Sequence, residues 1–151
     1  MMVAPSARRL LQQMEPASFP LRMQDVCSFL NIELRFCDCG EIDAFLIPGT
    51  SPLIVVNDNR PVTRQRFSIA HELGHFILGH VGGMQFSKEG KGCNHYHEVE
   101  ANRFAGELLM PKNAVYSTLG RPITVQKLMN AFNVSKYAAK IRLEELGEPE
   151  L

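Results

Sequence analysis

Thr63-Arg64-Gln65-Arg66-Phe67-Ser68-Ile69-Ala70-His71-Glu72-Leu73-Gly74-His75-Phe76-Ile77-Leu78-Gly79-His80 is the stretch on which the fold turns. Phe67, Ala70, Leu73, Gly74, Ile77 and Leu78 recur at helical spacing and mark one buried side, with Pro61 restricting the entry and Thr63 placed as an N-cap. Inside this helix His71, Glu72 and His75 form an H-E-x-x-H string. Residues four apart stack on one helix face, so the two imidazoles can reach one metal ion at about 2.0–2.1 Å each. Glu72 projects beside them, where a carboxylate can hold and deprotonate a water for hydrolysis. The same string can arise by chance on an exposed helix. Here both histidines are flanked by apolar residues and glycine, and imidazoles on a mostly buried stripe need a strong partner.

A tetrahedral catalytic site wants a third protein ligand. A metzincin would carry Gly at 78 and His at 81, but those positions hold Leu78 and Val81, so that register is excluded. His80 falls one residue beyond the next helical step from His75 and reads as a helix-end residue or a neighbour of the ligands. A carboxylate from the next helix, expected over about 96–110 and closed by Pro111, is the alternative. Glu98 and Glu100 are the candidates, with His97 in reserve. The two glutamates lie roughly 200° apart around a helix, so they cannot both face the metal, and periodicity does not choose between them. Arg103 and Glu107 share the face of Glu100 and either support it or form an ordinary i,i+4 pair. Tyr96, His95, His97, Arg103 and Tyr116 are the donors on offer for a developing oxyanion, and none is singled out.

Upstream, Ser6–Glu15 is rich in helix formers between a capping serine and Pro16, and Met23, Val26, Cys27 and Leu30 mark a second helix over about 21–30, with Asn31 at its end. From Ile32 the period becomes two. Ile32, Leu34 and Phe36 alternate with Glu33 and Arg35, Asp38–Gly40 supply turn chemistry, and Ile42–Ile47 completes an expected β-hairpin. A third strand, Leu53–Val56, follows the Pro48–Pro52 turn, giving an α+β fold in which about three antiparallel strands pack on the H-E-x-x-H helix. Gly82–Asn94 reads as a long polar loop that could cover a cleft. Two short helices, Val125–Phe132 and Ser135–Leu146, close the pattern, and Gly147–Leu151 reads as a loose tail.

The strings Arg64–His75 and Glu100-Ala101-Asn102-Arg103-Phe104-Ala105-Gly106-Glu107-Leu108-Leu109-Met110-Pro111 resemble the ImmA/IrrE family of compact zinc metallopeptidases, over roughly residues 53–111. The short Glu-Ala step after H-E-x-x-H is also similar to thermolysin-like gluzincins. The resemblance implies a zincin-like fold, Zn²⁺ (or another divalent ion such as Mn²⁺) held by His71, His75 and Glu100, and Glu72 as the catalytic base. It further implies a bacterial or phage protease that cuts an intracellular regulator, often a helix-turn-helix repressor. Residues 1–151 are then expected as one metallopeptidase domain: helices over about 6–30, sheet and catalytic helices over about 32–111, and a helix pair over about 124–146. The end shortly after that pair suggests a catalytic core without a sensor domain.

Composition sets the competing classes. Sixteen Lys and Arg balance 16 Asp and Glu, which argues against a surface built to neutralise phosphates. No apolar run approaches the roughly 20 residues that span a bilayer, and Leu10-Leu11 after Arg8-Arg9 is too short for a secretory leader, so a cytoplasmic location is expected. Four cysteines form no disulfide framework. Cys37 and Cys39 could join Cys93, His95 and His97 in a thiol-rich zinc site, although C-x-C lacks the usual two-residue gap. The terminal helix pair resembles a helix-turn-helix whose second helix carries Lys136, Lys140 and Arg142. A DNA-binding or toxin–antitoxin-type regulator with a structural metal is therefore the alternative class. Packing through Leu128, Phe132, Ile141, Leu143 and Leu146 is the simpler account of the pair.

Overall fold

Leu53-Ile54-Val55-Val56 is a continuous apolar run, and such a strand needs cover on both faces and partners on both edges. It forms the inner strand β3 (Leu53–Asn57) of a four-stranded sheet in the order β1-β3-β2-β4. The computed structural model describes residues 3–80, 85–86 and 94–150. Strand β1 (Glu33–Cys37) lies parallel to β3, Glu33 opposite Leu53, while β2 (Ala44–Ile47) runs antiparallel to β3, Ala44 opposite Val56. The expected α+β architecture holds, but the sheet is mixed and no hairpin joins β1 to β2. The reason lies in the Asp38–Asp43 connection, which is too long for a tight two-residue turn. It is drawn over the end of β3 by the buried Asn57, whose Nδ2 donates to the carbonyls of Gly40 (2.9 Å) and Ile42 (3.0 Å). A short edge strand β4 (Gln85–Phe86) pairs antiparallel with β2 inside the stretch expected as loop; the remainder of 81–93 lies outside the described residues.

The helices are α1 (Val3–Met14), α2 (Met23–Phe29), α3 (Val62–Ile77), α4 (His95–Leu109), α5 (Lys112–Thr118), α6 (Val125–Phe132) and α7 (Lys136–Leu146). Helix α1 begins before Ser6, so that serine is inside the helix and not its cap. Helix α3 is capped at Pro61 with no side-chain bond, and Thr63 sits in its first turn. Asn94, Thr124 and Ser135 do cap, their side chains accepting from backbone N–H groups of α4, α6 and α7. Asn31 takes a left-handed conformation after α2, as a helix-ending asparagine does. Helix α5 was not expected: Pro111, read only as the stop of α4, is also its N-cap, a position where the missing N–H is harmless.

Helix α3 lies between the sheet and α4, packing on β2 and β3 and, most extensively, on α4. The close approach to α4 needs Gly74, where an added Cβ would stand 3.1 Å from Ala101 Cα and 3.2 Å from Phe104 Cβ. The terminal pair belongs to this core: Leu128, Phe132 and Leu143 are buried, whereas Ile141 is exposed and Leu146 only half-buried. Arg66 on α3 donates to the carbonyls of Leu21, Phe132 and Asn133, tying α6 and the segment before α2 to the central helix.

Candidate metal centre

Burial makes the H-E-x-x-H turn of α3 chemically unusual. His71 is 4% exposed, and Glu72 and His75 are fully buried, where polar groups need partners. The Nε2 atoms of His71 and His75 stand 3.1 Å apart. Across from them, α4 supplies Glu98, with Oε1 3.2 Å from His71 Nε2 and Oε2 2.8 Å from His75 Nε2. Behind His71, Nδ1 is 2.7 Å from Oδ1 of Asn102. An amide oxygen only accepts, so the His71 proton sits on Nδ1 and its Nε2 turns a lone pair toward Glu98.

The arrangement corrects the expected ligand set. Glu100 does not face His71 and His75; its Oε1 lies 2.9 Å from Nε2 of His80. Glu98 and Asn102 are one helical turn apart and both face α3, beside the Ala101 that meets Gly74. Asn102 was missed as a contributor, although its four-residue spacing from Glu98 was visible in the sequence. Glu107 supports nothing here, because its carboxylate pairs with Arg142 of α7 (3.1 Å) and accepts from Lys112 N (2.9 Å). Arg103 and Tyr96 are exposed, and Tyr116 donates to Glu148 (2.7 Å). Of the other expected donors, His97 stacks on His80, ring centroids 3.9 Å apart. Cys37 and Cys39 bring their sulfurs within 3.3 Å, while Cys93, which the thiol-rich site requires, lies outside the described residues.

Charge states follow from this geometry. Burial pushes the Glu72 carboxyl well above the usual range and the charge of Glu98 adds to that, with the Leu46 backbone opposing. For Glu98, burial works upward, and only a proton on the facing ring nitrogens of His71 and His75 outweighs it and holds the carboxyl at about 2; with their lone pairs turned inward that role falls to a cation. Burial lowers His80 below the ordinary imidazole value, with Glu100 opposing, so His80 is neutral near neutral pH.

A divalent ion fits these residues. Both oxygens of Glu72 and Oε2 of Glu98 are buried without a hydrogen-bond partner. The nitrogen and oxygen atoms of His71, His75 and Glu98 are separated by 2.8–3.2 Å. A tetrahedral zinc spaces its ligands by roughly 3.3 Å, so one cation would satisfy the set with little adjustment. Glu72 Oε2 lies farther off, 3.9 Å from His71 Nε2, beside this set of atoms and not within it.

A mixed sheet covered by an H-E-x-x-H helix, with a carboxylate delivered from the next helix, defines a zincin-like metallopeptidase scaffold. Residues 27–144 match the Peptidase M78 family, described as the IrrE N-terminal-like domain, and the chain belongs to that family of peptidases. Over 94 residues it is 30% identical to the radiation response metalloprotease IrrE of Deinococcus radiodurans, covering 60% of this chain and 28% of that protein. The chain therefore spans little more than a quarter of that relative's length. A solved Mycobacterium tuberculosis transcriptional regulator shares the fold, with a TM-score of 0.62 over 97% of this chain and 48% of the other, at 16% identity. Among the described residues no helix is long and apolar enough to cross a membrane.

Proposed function

We propose that the protein is a zinc-dependent endopeptidase in which His71, His75 and Glu98 hold the metal and Glu72 is the catalytic base. The observation that carries this reading is the Glu72 carboxylate, fully buried, with only the Leu46 backbone approaching and no well-formed hydrogen bond to either oxygen, grouped with ring nitrogens of His71 and His75. Zn²⁺, when bound, supplies Lewis acidity toward a peptide carbonyl and lowers the pKa of water. Glu72 takes a proton from the attacking water and delivers it to the nitrogen of the departing amine. Its raised pKa favours the protonated form that hands the proton on to the amine. Glu98 stays anionic and Asn102 keeps the lone pair of His71 turned inward.

The substrate in this reading is an intracellular regulatory protein, such as a helix-turn-helix repressor of a bacterium or phage, as the resemblance to the ImmA/IrrE family implies. The DNA-binding alternative is weakened by Arg142, a cation of the would-be reading helix, which is buried against Glu107 and Met110. The test is to incubate the zinc-loaded protein with the regulator encoded beside its gene. One specific cut, prevented by a chelator and absent in a Glu72→Gln variant that retains its zinc, is the expected result. Loss of zinc in that variant would give Glu72 a ligand role instead.

A further inference from the structure

His75 is braced from behind as His71 is, but through two residues. Its Nδ1 lies 2.8 Å from Nδ1 of His80, and Nε2 of His80 lies 2.9 Å from Oε1 of Glu100. A carboxylate only accepts at such a contact, so His80 donates from Nε2, and its Nδ1 is the atom left to face Nδ1 of His75 as an acceptor. The contact to His75 is then a hydrogen bond only if His75 donates from its own Nδ1. That leaves Nε2 of His75 free of a proton and directed at Glu98. We infer that Glu100 and His80 are positioning residues, a relay that locks His75 in the tautomer able to bind metal. This rests on the assignment of His71, His75 and Glu98 as ligands.

The same residues invite a different assignment, since His80, His97 and Glu100 bring ligand atoms within 4.8 Å of one another. Their geometry disfavours a second metal. The rings of His80 and His97 stack at 8° to each other, so their in-plane lone pairs run parallel and do not converge on one point. Both His80 nitrogens are also already engaged. His97 instead lies flat against the His80 ring and restricts its plane. Outer partners that orient a ligating histidine are generally worth about 10–100-fold in metal affinity.

The experiment compares the whole chain with His80→Leu, Glu100→Leu and His80→Asn variants. Zinc affinity and stoichiometry are read by competition with a chromophoric chelator, and the His75 tautomer by long-range proton–nitrogen correlation spectra of the metal-free protein. Expected are one zinc per chain and about 10–100-fold weaker binding in the two leucine variants. Their His75 signal should shift from the Nδ1–H pattern to a mixture, and His80→Asn, whose amide oxygen can accept from His75 Nδ1, should recover both readouts. Glu100 is 38% exposed, so its removal leaves the core intact. Leucine variants with wild-type affinity and an unchanged His75 tautomer would overturn the relay, as would a second zinc lost with His80. Failure of the wild type to bind zinc would instead sink the ligand assignment, and the tautomer readout would still decide the relay.

Discussion

Glu98 Oε2 stands 2.8 Å from Nε2 of His75, a contact made between two helices that share a glycine-lined seam. Glu100, two residues on, is turned to His80. Replacing Glu98 by alanine should therefore reduce zinc affinity beyond the roughly 100-fold that loss of an outer partner reaches. Glu100→Gln keeps an acceptor for His80 and should stay close to wild type. Zinc content after passage through a chelator-equilibrated column separates the two; loss from Glu100→Gln with retention in Glu98→Ala would return the third ligand to Glu100.

The pH response of the metal-free form follows from Glu72. In the fold its pKa is raised above the ordinary 4.5, so the folded state binds the extra proton. That contribution to stability is complete below the unfolded value and declines as pH rises above it. The Glu72→Gln side chain does not titrate, so the Tm difference between variant and wild type, both stripped of metal, should widen as pH rises above the ordinary 4.5. A constant gap would show that Glu72 ionises normally.

Gly74→Ala tests the seam. Its Cβ would stand 3.1 Å from Ala101 Cα and 3.2 Å from Phe104 Cβ, so this buried part of α4 must give by a few tenths of an ångström. A loss of about 1–3 kcal/mol in denaturant unfolding is expected, together with weaker zinc binding as α4 and Glu98 are displaced. Unchanged zinc affinity in a folded variant would show that α4 can shift without moving the ligand.

Arg142 is buried, donating to the Met110 carbonyl (3.0 Å) and facing Glu107 (3.1 Å) and Glu145 (3.1 Å). Arg142→Met removes the nearer cation from the buried Glu107 carboxylate, which keeps Lys112 N and Arg8 at 3.6 Å, and should cost about 2 kcal/mol, with partial recovery on adding Glu107→Leu. Additive effects in the double variant would deny the coupling. With this cation turned inward, no salt-sensitive gel shift with duplex DNA is expected at low ionic strength.

The catalytic helix was legible because its information is local. Apolar residues at helical spacing set the buried face, and His71 and His75 four apart share that face in any α-helix. The choice between Glu98 and Glu100 was not local. It depends on how α4 is rotated about its axis against α3, and that rotation is set by Ala101 and Phe104 seating against Gly74. The strands followed the same division: period-two alternation marked β1, but pairing it with β3 and not β2 depended on Asn57 drawing the Asp38–Asp43 connection over the end of β3. Sequence by itself determined most of the helices and three strands, the H-E-x-x-H string and the family, while α5 and β4 escaped it. The tertiary structure decided which carboxylate, amide and histidine stand beside His71 and His75, because two helices must pack before residues 27 positions apart in the chain can meet.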